Sequence, residues 1–196
     1  MGRTNPPIAV AWLLATLLGA LAPQAEAATV LRLDLGDLVA RAAVVVHGRV
    51  AHKASRKAPH GAIVTDIELE VFHALKGFQG KTFRFTVYGG VVGDRGSAIS
   101  GAPTFAVGEE VLLFLDRTNR YGLRAAVGLS QGKFTVREVD GKRLAFRDLE
   151  GLRLVDLATG HVEEAKSEQG RPFDELLAEV TRRIAEEAKK PKKEQK

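Results

Sequence analysis

The clearest signal along the chain is alternation. Ile63, Thr65, Ile67, Leu69 and Val71 interleave with Val64, Asp66, Glu68, Glu70 and Phe72, which predicts a strand from Ile63 to Leu75 with one buried face. Phe83, Phe85 and Val87 interleave with Arg84, Thr86 and Tyr88 in the same way and predict a second. Residues 76–81 between them, Lys-Gly-Phe-Gln-Gly-Lys, make a turn. Two runs are largely continuous rather than alternating: Ala43 to Val50, β-branched but holding His47 and Arg49, and Val111 to Leu115, apolar throughout. Continuous β-branched and apolar runs of this length predict strands covered on both faces, with 111–115 central. Phe134–Val136 and Leu144–Phe146 flank Asp140-Gly141, a pair that favours the positive φ angles of a two-residue hairpin turn. Leu123 to Val127 is a further strand candidate, and Leu152–Leu157 with His161-Val162 around Thr159-Gly160 predicts a smaller hairpin.

Helical spacing occurs at the two ends of this β-rich stretch. Asp34 caps a short helix from about Leu35 to Ala42. Phe173, Leu176, Leu177, Val180 and Ile184 share one face of a helix over about 172–188, opened by Pro172. Residues 53–61 are basic and hold Pro59 and Gly61, so a loop is expected. Residues 89–108 carry six glycines and Pro103 and read as a long loop without a strong element of its own. The expected fold is mostly β: a small antiparallel barrel or sandwich, OB-like, with a short N-terminal helix and an amphipathic C-terminal one.

Before this pattern begins, Arg3 precedes an apolar run from Ile8 to Ala22, Pro23 ends it, and Ala25-Glu26-Ala27 supplies the small-x-small pattern of a signal peptidase site. The expectation is therefore export: residues 1–27 form a cleaved signal peptide, 28–188 one domain, and 189–196 a disordered lysine-rich tail. After cleavage no stable membrane insertion is expected. The chain has no cysteine, which sets a lipoprotein anchor aside and, in an exported domain, favours a bacterial periplasmic or extracellular protein. The net charge of +5 is concentrated in that tail, where residues 189–196 hold five Lys and one Glu. The folded part is close to neutral and gives no reason to expect nucleic acid as a partner.

Candidate chemistry is sparse. Gly128-Leu129-Ser130-Gln131-Gly132 spells the G-x-S-x-G of a nucleophile elbow, with Asp156 and His161 following in hydrolase order. The elbow requires a strand that turns sharply into a helix, whereas Lys133 to Arg137 alternates like a strand. A structural turn is the expected role, with Ser130 as nucleophile of a small serine hydrolase the alternative. None of the five histidines, His47, His52, His60, His73 and His161, stands at a metal-ligand spacing on one element, so no metal and no cofactor is expected. Asp66, Glu68 and Glu70 read as a solvated strand face. The residues singled out for ligand binding are Gly89, Gly90, Gly93, Asp94, Arg95 and Ser97 in the long glycine-rich loop.

The spacing of Val45-Val46-His47-Gly48-Arg49-Val50, Leu75-Lys76-Gly77, Gly89-Gly90-Val91-Val92-Gly93, Gly101 to Phe105, Gly108 to Leu115 and Gly128 to Phe134 resembles that of a group of uncharacterised exported bacterial proteins. The resemblance covers about residues 30–147. That group is in turn loosely similar to netrin-like OB-barrel domains, which include tissue inhibitors of metalloproteases. Those inhibitors carry an N-terminal cysteine and disulfides, where this chain has Ala28-Thr29 and no cysteine. The functional expectation is an exported, non-catalytic binding module for an unknown protein or envelope component, with an inhibitor or accessory of a secreted protease as the alternative.

Overall fold

In the computed structural model, which describes residues 27–189, the chain forms twelve strands and two α-helices. The signal-peptide segment and most of the lysine tail lie outside the described residues. The elements in order are β1 (Ala28–Leu31), α1 (Leu35–Arg41), β2 (Val44–Lys57), β3 (Ile63–Lys76), β4 (Thr82–Tyr88), β5 (Gly90–Val92), β6 (Arg95–Ser97), β7 (Glu110–Leu115), β8 (Lys133–Val139), β9 (Lys142–Phe146), β10 (Leu152–Val155), β11 (Val162–Glu164), β12 (Arg171–Pro172) and α2 (Phe173–Lys189). The mostly-β class with a short N-terminal and a long C-terminal helix is as the sequence pattern predicts.

The main sheet has seven strands in the order β12-β9-β8-β7-β2-β3-β4, with β7 at its centre. Two meanders, β2-β3-β4 and β7-β8-β9, are thus joined through the β2–β7 pair. A closed barrel would need β4 to return to the far edge, and among the described residues it does not. Of the two expected architectures, the sandwich-like one forms and the closed OB barrel does not. A small sheet, β1-β10-β11, and the β5–β6 hairpin complete the β structure.

The first part of β2 (Val44–Val46) and most of β7 (Val111–Leu115) are apolar because both faces of the sheet are covered there. On one face Val45, Leu112, Phe114, Phe134 and Val136 pack with Leu38 and Val39 of α1 and with Phe173, Leu176 and Val180 of α2. On the other, Val44, Val46, Val50, Ile67, Leu69, Phe83, Phe85, Val111, Leu113 and Leu115 form a second core, closed by Phe105 and Ala126 from the connecting segments. Helix α1 begins with a capping box: the Asp37 amide donates to Asp34 Oδ1 at 2.7 Å, and the Asp34 amide to Asp37 Oδ2 at 3.2 Å. Asp140 and Gly141 take φ of 51° and 72°, and β8 pairs with β9 across that turn.

Three expectations are corrected. Residues 53–57 are strand, not loop: β2 runs to Lys57, which pairs with Ile63, and Arg56 on the outward face donates to Asp66 Oδ2 at 2.5 Å. Leu123–Val127 makes no continuous strand, because it bridges to two different strands, Leu123 to Thr86 and Ala126 to Leu115. The 89–108 segment is not featureless, since its first third folds as the β5–β6 hairpin.

Candidate functional site

The connecting segments that close the second core leave a groove at the β4 edge. It consists of two adjoining cavities of about 110 and 160 Å³. They share walls of Val87, Tyr88, Ile99, Ala102, Pro103 and Phe105. Lys53 and Thr65 complete the smaller cavity; Asn119, Leu123, Arg124, Ala126 and Leu129 complete the larger. Around it stand large apolar side chains left in solvent, including Tyr88, Ile99 and Tyr121, which are 41%, 47% and 54% exposed, and Val91 on β5.

Polar contacts fix the segment that ends one wall of the groove. The Lys53 ammonium donates to the Phe105 carbonyl at 2.8 Å. Glu109, buried at the end of the same segment, accepts from the Ala106 amide, from Lys133 Nζ at 2.7 Å and from Thr135 Oγ1 at 2.8 Å. Lys133 lies over the Phe105 ring, 5.0 Å from its centroid. Burial lowers the Lys133 ammonium's pKa below its ordinary value, against the opposing pull of Glu109. The Lys133–Thr135 side of β8 is therefore not solvated as its alternation suggests; residues 103–109 cover it.

The six residues expected to bind a ligand separate into two groups. Gly89, Gly90 and Ser97 line the smaller cavity. The Gly89 carbonyl accepts from Thr65 Oγ1 at 2.6 Å, and a β-carbon on Gly90 would come within 2.3 Å of Ser55 Oγ and 2.4 Å of Thr65 Oγ1. Both glycines thus serve the close approach of this segment to the β2–β3 hairpin. Gly93 and Asp94 form the turn between Val92 and Arg95; with Arg95 they stand exposed at the hairpin tip and do not line the groove.

Gly128 to Phe134 folds as the structural turn its alternation predicts. Gly128 and Leu129 take left-handed φ of 66° and 61°, a short 3₁₀ turn spans Leu129–Gly132, and β8 follows directly. No strand-to-helix elbow exists there. Ser130 borders a polar hollow of about 320 Å³, but its Oγ is buried and has no hydrogen-bond partner in the protein. His161 is 71% exposed on the β10–β11 hairpin. Gln131, by contrast, is fully used: Oε1 accepts from the Leu33 amide at 2.9 Å, and Nε2 donates to the carbonyls of Leu31 at 2.9 Å and Gly128 at 3.2 Å.

A polar cluster on the helix-covered face escaped the sequence reading. His47 is 1% exposed. Its Nε2 lies 2.8 Å from Glu110 Oε1 and its Nδ1 2.9 Å from Nδ1 of His73. Arg143 also reaches Glu110, and stacks on Phe173 at 4.6 Å, while Phe173 packs on the His47 ring. Burial holds His47 below the ordinary histidine pKa, against the opposing pull of Glu110. Burial alone would raise Glu110, but hydrogen bonds from His47 and Arg143 outweigh it and leave the carboxyl below its ordinary range. A neutral His47 donating from Nε2 to the Glu110 carboxylate must accept at Nδ1, so His73 donates from Nδ1 and carries its lone pair at Nε2.

The pH dependence follows from these directions. Unfolded chains take up a proton on His47 near pH 6.5, while the folded protein resists it until lower pH. Protonation therefore favours the unfolded state, and stability falls as pH drops below about 6.5. Glu110 adds to the loss at lower pH, as its depressed carboxylate is protonated. Urea midpoints measured from pH 7.5 to 5 should decline, and His47→Gln, which keeps an N–H for Glu110, should flatten the decline. An unchanged slope in that variant would place the sensitivity elsewhere, among the exposed histidines.

Among the described residues no group of three or more His, Asp or Glu side chains could hold a metal ion, and no helix is long and apolar enough to cross a membrane. No known protein family, curated protein or solved structure matches the chain.

Proposed function

We propose that the chain is an exported binding module that docks a partner protein through the groove between the 89–108 segment and residues 116–129. The observation that carries this reading is the apolar groove with Tyr88 and Ile99, both exposed, in its walls. Interface centres are enriched in such side chains, and Tyr combines a large apolar body with a polar end. The size of the cavities favours a protein over a small molecule: at about 110 and 160 Å³ they fall below the roughly 300–1,000 Å³ of small-ligand pockets. Each takes one side chain of a larger partner.

The other hollows support this choice by contrast. That between β3 and β4 is walled by Asp66, Glu68, Arg84 and Arg124, with Arg84 paired to Glu68 and Asp66 paired to Arg56. The hydrolase alternative draws nothing from Ser130, since no base reaches its hydroxyl. Export rests on the signal-peptide pattern of residues 1–27.

Site-specific photo-crosslinking tests the docking surface. A benzophenone side chain placed at Ile99 should capture a protein adduct in the producing cell's envelope or medium. The same group at Val162, 38% exposed on β11 and lining neither cavity, should not. Equal capture at both positions, or none at Ile99, would remove the groove as the contact surface.

A further inference from the structure

The charge around the groove identifies the chemistry of its occupant. Two charged side chains line the two cavities, Lys53 in the smaller and Arg124, which also borders the hollow between β3 and β4, in the larger, and both are cations. Neither is paired with a carboxylate. Lys53 Nζ donates to the Phe105 carbonyl at 2.8 Å. The Arg124 guanidinium donates to the Asp116 carbonyl at 2.6 Å and to Thr118 Oγ1 at 2.8 Å. These acceptors are neutral and neither cation forms an ion pair, in contrast to Arg56, Arg84, Arg143, Arg147, Arg171 and Arg183, each of which faces an acid.

The surrounding segment has the same sign. Residues 116–124 contain Arg117, Arg120 and Arg124 against a single acid, Asp116. Asp116 Oδ1 accepts from the Arg117 backbone amide at 2.7 Å, and the Asp116 carboxylate attracts the Arg124 guanidinium without forming an ion pair with it. Arg120 lies over the exposed Tyr121 ring at 4.7 Å, a further cation on the same segment as Arg124. Asp94 at the β5–β6 tip is balanced by its neighbour Arg95.

On the reading that the groove docks a protein, we infer that its occupant is an acidic segment with apolar anchors: two apolar side chains fill the adjoining cavities and flanking Asp or Glu carboxylates meet Lys53 and Arg124. Apolar anchors supply affinity by burial, and carboxylates meeting cations that form no ion pair supply selectivity and faster encounter. A basic or neutral apolar segment would fill the same cavities and leave both cations unpaired.

Three blocked peptides test this: Glu-Phe-Glu-Leu-Glu, Gln-Phe-Gln-Leu-Gln and Lys-Phe-Lys-Leu-Lys, each acetylated, amidated and dye-labelled. Their binding to the full chain from residue 28 is read by fluorescence anisotropy. The acidic peptide should bind roughly ten-fold or more tighter than the basic one, with the glutamine peptide between them, and the difference should shrink in high salt. Because Lys53 and Arg124 also brace backbone carbonyls, conservative pairs separate charge from folding. Lys53→Arg and Arg124→Lys should keep the preference, and Lys53→Gln with Arg124→Gln should abolish it, each variant's fold being checked by circular dichroism. Equal binding of all three peptides, lost in Ile99→Asp, would overturn the acidic occupant while leaving the groove as a docking site. Binding by none of them would overturn both.

Discussion

Phe134→Ala should cost roughly 3–5 kcal/mol in a urea titration, while Ser130→Ala, four residues earlier, should be neutral or slightly stabilising. The two side chains share one stretch but occupy opposite physical situations. Phe134 is 4% exposed and packs in the helix-covered core, 5.9 Å from the Phe114 ring, with the Arg147 guanidinium 5.1 Å from its own centroid. Truncating it empties a site bounded by the central strand and two helices, which cannot collapse to fill the space. Ser130 is 7% exposed and its hydroxyl is desolvated without a partner, so replacing it by a methyl removes a cost and loses no bond. A Ser130→Ala variant that unfolds at markedly lower urea would mean that a hydrogen bond to this hydroxyl, through solvent or an altered turn, holds the stretch together. A Phe134→Ala variant of near-normal stability would mean that α2 can move in to fill the hollow.

The glycine at the end of this turn is explained by space. A β-carbon on Gly132 would lie 2.5 Å from the Val127 carbonyl oxygen and 2.9 Å from that of Phe114, both backbone atoms that cannot swing aside. The spacing of glycines around Ser130 therefore reports how closely the 3₁₀ turn is pressed between two segments. The same letters in a hydrolase would report an exposed elbow.

Much of the fold was legible because it is built from local periods. Ile63–Leu75 and Phe83–Tyr88 declare a strand by alternation, Val111–Leu115 declares the central strand by lacking it, and Phe173–Ile184 declares α2 by its 3.6-residue stripe. Lys53–Lys57 was illegible because its polar residues sit on an outward, cross-paired end of a long hairpin, and there a strand has the composition of a loop. Closure of the sheet was equally hidden, since whether β4 reaches the far edge depends on coiling and bulges distributed over β2 and β3. The glycine-rich segment pointed to the right region for half of the groove, but Leu123, Arg124 and Leu129 come from a second segment with no periodic signal of its own. The His47–Glu110 contact joins residues 63 positions apart, and only the β2–β7 register brings them together.

Gln131→Met should destabilise the protein by roughly 3 kcal/mol, although the new side chain has nearly the same length and is apolar in a buried site. Gln131 is 1% exposed, and its amide is the connection between the 3₁₀ turn and the chain that links β1 to α1. Methionine fills the volume but leaves the Leu33 N–H and the Leu31 carbonyl without the partner they have in the native protein, at about 1–3 kcal/mol for each buried group left unmade. Glutamate is expected to be worse, because it retains the acceptor for Leu33 while placing an unpaired carboxylate against two carbonyls in a dry site. The loss should be local before it is global. Hydrogen exchange at the Leu33 amide should quicken in Gln131→Met, while amides of β7 and β8 remain protected up to the reduced global stability. Since β1 reaches the rest of the fold through this linker and through its pairing with β10, the variant should also loosen β1. Unchanged protection at Leu33, with stability within about 0.5 kcal/mol of the parent, would show that packing of Leu31 and Leu33 holds the linker and that the amide is dispensable.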